Sequence, residues 1–132
     1  MTAERPVGVA LENRLMSHGI YVSEIAWIDD EPETVGAPRD GDGLTVAYET
    51  IAEAPVVTSQ EVSAVVRTLL SIAEEREWTP GRLEATSRTT DGEPRGRWHV
   101  EGEWFARLGT DLSEIEFSQR VLDTISDAPA DA

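Results

Sequence analysis

The chain has 132 residues and a net charge of -15, from 26 acidic and 11 basic side chains, with an isoelectric point near 4.3; this is one domain's worth of protein. A hydrophobic content of 39% with four Trp is enough to fill one core, which excludes a wholly disordered acidic tail. No apolar run approaches the ~20 residues of a membrane span, Met1 to Pro6 lacks the features of a signal peptide, and the absence of Cys excludes disulfides, thiolate nucleophiles and Cys-ligated metals, so a soluble, cytoplasmic protein is expected.

Pro6 to His18 carries Val7, Ala10, Leu11 and Leu15 at helical spacing, with Gly19 as the stop and Gly8 as a weak point. Ile20 to Ile28 is β-branched and aromatic and reads as a strand, its apolar residues on both faces implying a bulge or two-sided burial. Asp29 to Gly43, with six acids and no periodicity, reads as a loop. Leu44, Val46 and Tyr48 alternate with Thr45, Ala47 and Glu49 in a second strand, and Ala54 to Val57 offers a short third piece limited by Pro55.

Two helix starts are well marked. Thr58 can cap a helix while Glu61 reaches back to its amide and Val57 staples onto Val62; Ser113 and Glu116 repeat the device. The second helix is expected to run to about Trp78, burying Val62, Val65, Val66, Leu69, Leu70 and Ala73, with Pro80-Gly81 ending it. The third is expected over Glu114 to Ser126, with Ile115, Val121, Leu122 and Ile125 in one stripe and Phe117 beside it. Between them lies a hairpin. Leu83, Ala85 and Ser87 alternate with Glu84, Thr86 and Arg88, Asp91-Gly92 turns, and the return strand puts Trp98, Val100, Gly102 and Trp104 on one face and Arg97, His99, Glu101 and Glu103 on the other.

Catalytic candidates are few. His18 and His99 have no positioned nucleophile or metal partner signalled around them. His18 reads as a charge complementing a helix C-terminus, and His99, between Arg97 and Glu101 on its face, as part of a surface cross-strand pair. The loop Asp40-Gly41-Asp42-Gly43 resembles a calcium loop only superficially, because the twelfth position from Asp40 is Ile51 rather than an acid. No metal and no cofactor are expected.

The basic residues carry the local anomaly. All 11 are Arg, a bias fitting high-GC coding together with a carboxylate-rich surface adapted to molar salt, where the Debye length falls to about 3 Å and a large net charge is screened. Residues 80–107 hold 5 Arg against 5 acids, whereas residues 1–79 hold 5 Arg against 15. Within that neutral hairpin Arg88, Arg95 and Arg97, beside His99, are the candidate ligand or partner-binding residues, forming a positive stripe able to grip phosphate or an acidic segment. The competing reading pairs these Arg internally with Glu84, Glu101 and Glu103. Aromatic side chains on both faces of the strands further suggest a sheet face that three helices leave uncovered, and an exposed apolar face would mark a partner surface.

The run Trp98-His99-Val100-Glu101-Gly102-Glu103-Trp104 followed by Leu112 to Ile125 resembles small, acidic, uncharacterised proteins of haloarchaea. The resemblance covers the C-terminal third best; it implies a halophilic origin and supplies no activity or site residues. The element order is similar to that of small acidic secretion-chaperone-like α+β proteins, which implies a dimeric binding module by analogy of layout.

The sequence thus predicts a single α+β domain over residues 1–126 with a frayed acidic tail over 127–132. Its antiparallel sheet has four to five strands and three helices, in the order α-β-β-(β)-α-β-β-α. The leading function is a non-enzymatic protein-interaction module of a halophilic archaeon, with a protein partner or a second copy as its target and no membrane association. Alternatives are a small-ligand or nucleotide-handling domain using the Arg-rich hairpin, and a DNA-associated regulator. Nucleic-acid binding is disfavoured because the surrounding acidic field repels phosphate.

Overall fold

The computed structural model describes residues 7–28, 41–51 and 56–127. The elements in chain order are α1 (Val7–Met16), β1 (Ile20–Trp27), β2 (Leu44–Thr50), α2 (Ser59–Glu75), β3 (Leu83–Thr89), β4 (Pro94–Val100), α3 (Gly102–Arg107), α4 (Glu114–Leu122) and β5 (Ser126–Asp127). They form an α+β domain whose single sheet has the order β1-β2-β3-β4-β5, four full strands and a two-residue edge piece.

The sheet is mixed, not antiparallel. Two antiparallel hairpins, β1-β2 and β3-β4, are joined side by side through a parallel β2-β3 pair. The reason lies in α2: a helix between β2 and β3 carries the chain back to the end where β2 began, so β3 starts beside Leu44 and runs the same way. The Asp91-Gly92 turn signals the β3-β4 hairpin locally, but nothing local defines how the two strand pairs meet.

The described residues form four helices rather than three. The return strand ends at Val100, and Gly102 to Arg107, expected to continue it, coil into α3. Gly102 and Trp104 therefore do not share the buried face of β4. Phe105 instead turns into the core, with its ring centroid 5.6 Å from that of Phe117. In α4 the buried pair is Phe117 and Val121, while Ile115 is 72% exposed. Ile115 lies two residues before Phe117, about 200° around the helix, so the two cannot face the same core.

Much of the rest follows the sequence closely. Val7, Ala10, Leu11 and Leu15 are buried along α1, and Gly19 turns the chain with a φ of 74°. Gly8 has a packing role: a Cβ there would sit 2.9 Å from Cγ2 of Ile25, so the glycine lets α1 lie close on β1. The expected irregularity of β1 is a register shift between Val22 and Glu24. Both capping boxes form, at Thr58/Glu61 and Ser113/Glu116. In α2 the buried stripe contains Ile72, Thr68 and Glu61 in addition to the expected valines, and Leu70 is only half-buried.

Of the expected third piece at 54–57, residues 54 and 55 lie outside the described residues, as do 29–40 of the acidic loop and 128–132 of the tail. Asp127, expected in that tail, pairs with Gly96. The outer edge of β4 is covered by β5 and by the Thr124 hydroxyl, which accepts from the His99 amide at 2.9 Å and donates to the His99 carbonyl at 3.0 Å.

One face of the sheet is the core. Leu44, Val46, Tyr48, Leu83, Ala85, Trp98 and Val100 point into it, towards α1, α2 and α4. Among the described residues the other face is open, carrying Thr45, Ala47, Glu49, Glu84, Thr86, Arg88, Arg97 and His99, all at least partly exposed. No described helix is long and apolar enough to cross a membrane.

Candidate functional site

The sequence proposed a stripe of Arg88, Arg95, Arg97 and His99. The structure brings three of these together on the open face and sends the fourth to the other side of the sheet. Ser87 pairs with Gly96 while Arg88 pairs with Pro94, so Arg95 is an extra residue on β4, a bulge. Strict alternation would have put residues 95, 97 and 99 on one face. The bulge turns Arg95 into the core, where it is only 2% exposed. Gly96 makes this possible: a Cβ at that position would lie 2.6 Å from the Ser126 carbonyl oxygen and 3.0 Å from a Val57 methyl.

Inside, Arg95 meets a carboxylate that the sequence reading treated only as a helix cap. Arg95 Nη1 donates to Glu61 Oε1 at 2.7 Å and to Ser87 Oγ at 2.6 Å, and its Nη2 donates to the Val56 carbonyl at 2.6 Å. Glu61, 3% exposed, also accepts from Tyr48 Oη at 2.7 Å, Ser87 Oγ at 2.6 Å and the Thr58 amide at 2.9 Å. Trp98 Nε1 donates to Tyr48 Oη at 2.9 Å, extending the chain. Every bond has a consistent direction only if Glu61 is ionised and accepts at both oxygens.

The electrostatics agree. Burial alone pushes the Glu61 carboxyl up, but hydrogen bonds from Ser87, the Thr58 amide, Tyr48 and Arg95 outweigh it and hold the group below the ordinary carboxylate range. Burial and the Glu61 charge push the Tyr48 phenol above its usual range, keeping it a donor. The cluster contains a serine, a tyrosine and a carboxylate, yet its members lie sealed between α2 and the sheet, with Ser87 and Tyr48 at 0% exposure. Ser87 Oγ is buried, and the arrangement ties the start of α2 to β3-β4.

A readable signal for Glu61 existed. It stands on the same α2 stripe as Val65, Leu69 and Ile72, four, eight and eleven residues ahead, so a charge was destined for the apolar face. Arg95 was legible only through the glycine that follows it.

The open face has an order set by strand register. One row across it reads Tyr21, Glu49, Arg88 and Pro94; the next reads Glu24, Ala47, Thr86 and Arg97; the third reads Ala26, Thr45, Glu84 and His99. It is not the apolar face that the aromatic count suggested. Small side chains fill its middle; Glu24 and Glu49 lie on β1 and β2, Arg88 and Arg97 on β3 and β4, and Glu84 on β3 is the one acid of these rows on the cationic side. Among the described residues, Arg88, Arg97, Glu24 and Glu49 make no ion pair within 4.0 Å. The internal pairing expected for the hairpin Arg is made instead by Arg82, which bonds Glu84 at 2.6 Å and Glu101 at 2.8 Å. His99 contacts Glu101 at 3.0 Å and stacks on Trp104, whose other neighbour is the Arg120 guanidinium, 6.0 Å from its ring centroid.

His18 is exposed in the turn after α1 and borders a groove of about 610 Å³ between α2 and α4, floored by Ala64, Leu70, Phe117 and Val121. Its lining also includes Arg67 and Glu114. Among the described residues no three His, Asp or Glu side chains gather as a metal site.

Comparison with curated proteins and with solved structures gives no match. A family model, described as a domain of unknown function (DUF8159), matches residues 1–131, and the chain belongs to that family.

Proposed function

We propose that the domain is a non-enzymatic protein-interaction module that works through its uncovered sheet face, in a cytoplasm of molar salt. The observation that carries this reading is the open face itself: Arg88, Arg97, Glu24 and Glu49 stand without ion partners among the described residues on a surface whose other members include the small side chains Ala26, Thr45, Ala47 and Thr86. Charges held on rigid strands are arranged before a partner arrives, which lowers the ordering cost of binding. The acidic coat supports the salt reading, since a charge of -15 is tolerated where screening is strong and keeps the protein soluble.

The test is a photo-crosslinking residue introduced in vivo at Thr45, exposed on the open face, and separately at Ser71, exposed on α2. Adducts with protein from Thr45 and not from Ser71 are expected. Equal labelling from both, or none from Thr45, would overturn the reading. A phosphorylated small molecule is the competing occupant, since Arg88, Arg97 and His99 share that face. Protection of Thr45 by added nucleotide without any protein adduct would establish it instead.

A further inference from the structure

We infer that the occupant of the open face is a second copy of this chain, stacked sheet to sheet about a two-fold axis that runs along the strands between β2 and β3. The inference rests on the reading of the open face as the interaction surface and names its partner. The argument is one of register. Glu24, Ala47, Thr86 and Arg97 occupy one row across β1, β2, β3 and β4, and Glu49 and Arg88 are neighbours in the next row on β2 and β3.

A two-fold axis in that position lays β1 of one copy over β4 of the other and β2 over β3, and leaves each row opposite itself. Glu24 then faces Arg97 of the second copy, Glu49 faces Arg88, and Ala47 faces Thr86. Each charged pairing occurs twice by symmetry, and no row sets like charge against like. The same patch is thereby complementary to itself, which is the requirement for a closed two-fold interface. The four charges lack ion partners within the described residues of one chain, and the small residues at the axis let two sheets approach to about 10 Å.

The flat face spans four strands of seven or eight residues, roughly 400 Å² a side from strand spacing and rise, about half of a standard interface. The dimer is therefore expected to be weak, with dissociation in the micromolar range or above. Two bodies of charge -15 also repel. Salt screens that long-range repulsion more than it weakens pairs enclosed in the contact, so association strengthens from dilute buffer to about 2 M KCl.

Sedimentation equilibrium over micromolar to millimolar protein in about 2 M KCl tests this. The wild type is expected to dimerise. Arg88→Glu/Arg97→Glu makes all four pairing positions acidic and Glu24→Arg/Glu49→Arg makes all four basic, and each alone is expected to weaken self-association by roughly 100-fold or more through like-charge contact. Mixing the two variants is expected to restore a heterodimer, because every pairing is again opposite in sign. This rescue also shows that both variants are folded. A monomeric wild type overturns the inference, and does so without touching the interaction reading if Thr45 still crosslinks to a different protein. Self-association of either variant at wild-type strength, or a mixture that fails to associate, overturns it as well.

Discussion

Glu61 serves two levels of structure with one carboxylate. Oε1 closes the cap of α2 on the Thr58 amide, and the same oxygen, with Oε2, anchors Arg95, Ser87 and Tyr48 from the sheet. An ion pair this deep stabilises little relative to an apolar core of equal shape, but removing one member strands the other. Glu61→Gln is expected to cost about 3–5 kcal/mol at neutral pH, because Arg95 is left buried without its counter-charge. The pH dependence has a definite sign. The folded carboxyl lies below its ordinary value, so its contribution is complete above the ordinary Glu range near about 4.3 and is lost as pH falls through the lower folded value. Urea unfolding of wild type and Glu61→Gln is expected to give a stability gap that is flat from pH 7 to about 5 and narrows below it. A gap that narrowed well above that range, or was under about 1 kcal/mol at pH 7, would contradict the assignment.

At the level of elements, two capping boxes of the same design have different surroundings. Thr58 caps α2, and its amide and hydroxyl both donate to Glu61, which is tied to the sheet. Ser113 caps α4 at the surface, where Glu116 is exposed and reaches back to the Ser113 amide at 3.2 Å. Thr58→Ala is therefore expected to cost about 1–2 kcal/mol and Ser113→Ala about 0.5–1 kcal/mol, read from urea midpoints. Equal losses would mean that the link from cap to core carries no energy. The elements also show where reading fails. Helix starts are written in four or five adjacent residues and were legible. The bulge at Arg95 depends on what lies across the strand and beyond it, at Ser87 and Ser126, which no local window contains.

For the whole molecule, charge is the dominant quantity. Most of the described acids lie on exposed positions, so their mutual repulsion acts on the folded state as a whole and falls as the Debye length shrinks. The urea midpoint is expected to rise steadily between about 0.1 M and about 2–3 M KCl. A flat or falling midpoint would remove the salt adaptation from the account, though not the fold. The neutral hairpin acquires its meaning only at this scale. Glu84, Arg88, Arg97 and His99 join the open face and Arg95 becomes the hub of the interior, a division that a count of Arg along the chain does not reveal.

What the amino-acid order determined alone was whatever depends on neighbours in sequence: the α+β class, the caps at Thr58 and Ser113, the turns at Gly19 and Asp91-Gly92, and the burial alternation through Leu83, Ala85 and Ser87. Tertiary structure decided what depends on contact between distant segments. The parallel joining of β2 to β3 follows from the path of α2 over the sheet. The inward turn of Arg95 follows from the bulge, and the burial of Glu61 from the cation waiting opposite it. The ordered rows of the open face exist only because two separate hairpins were brought into one register.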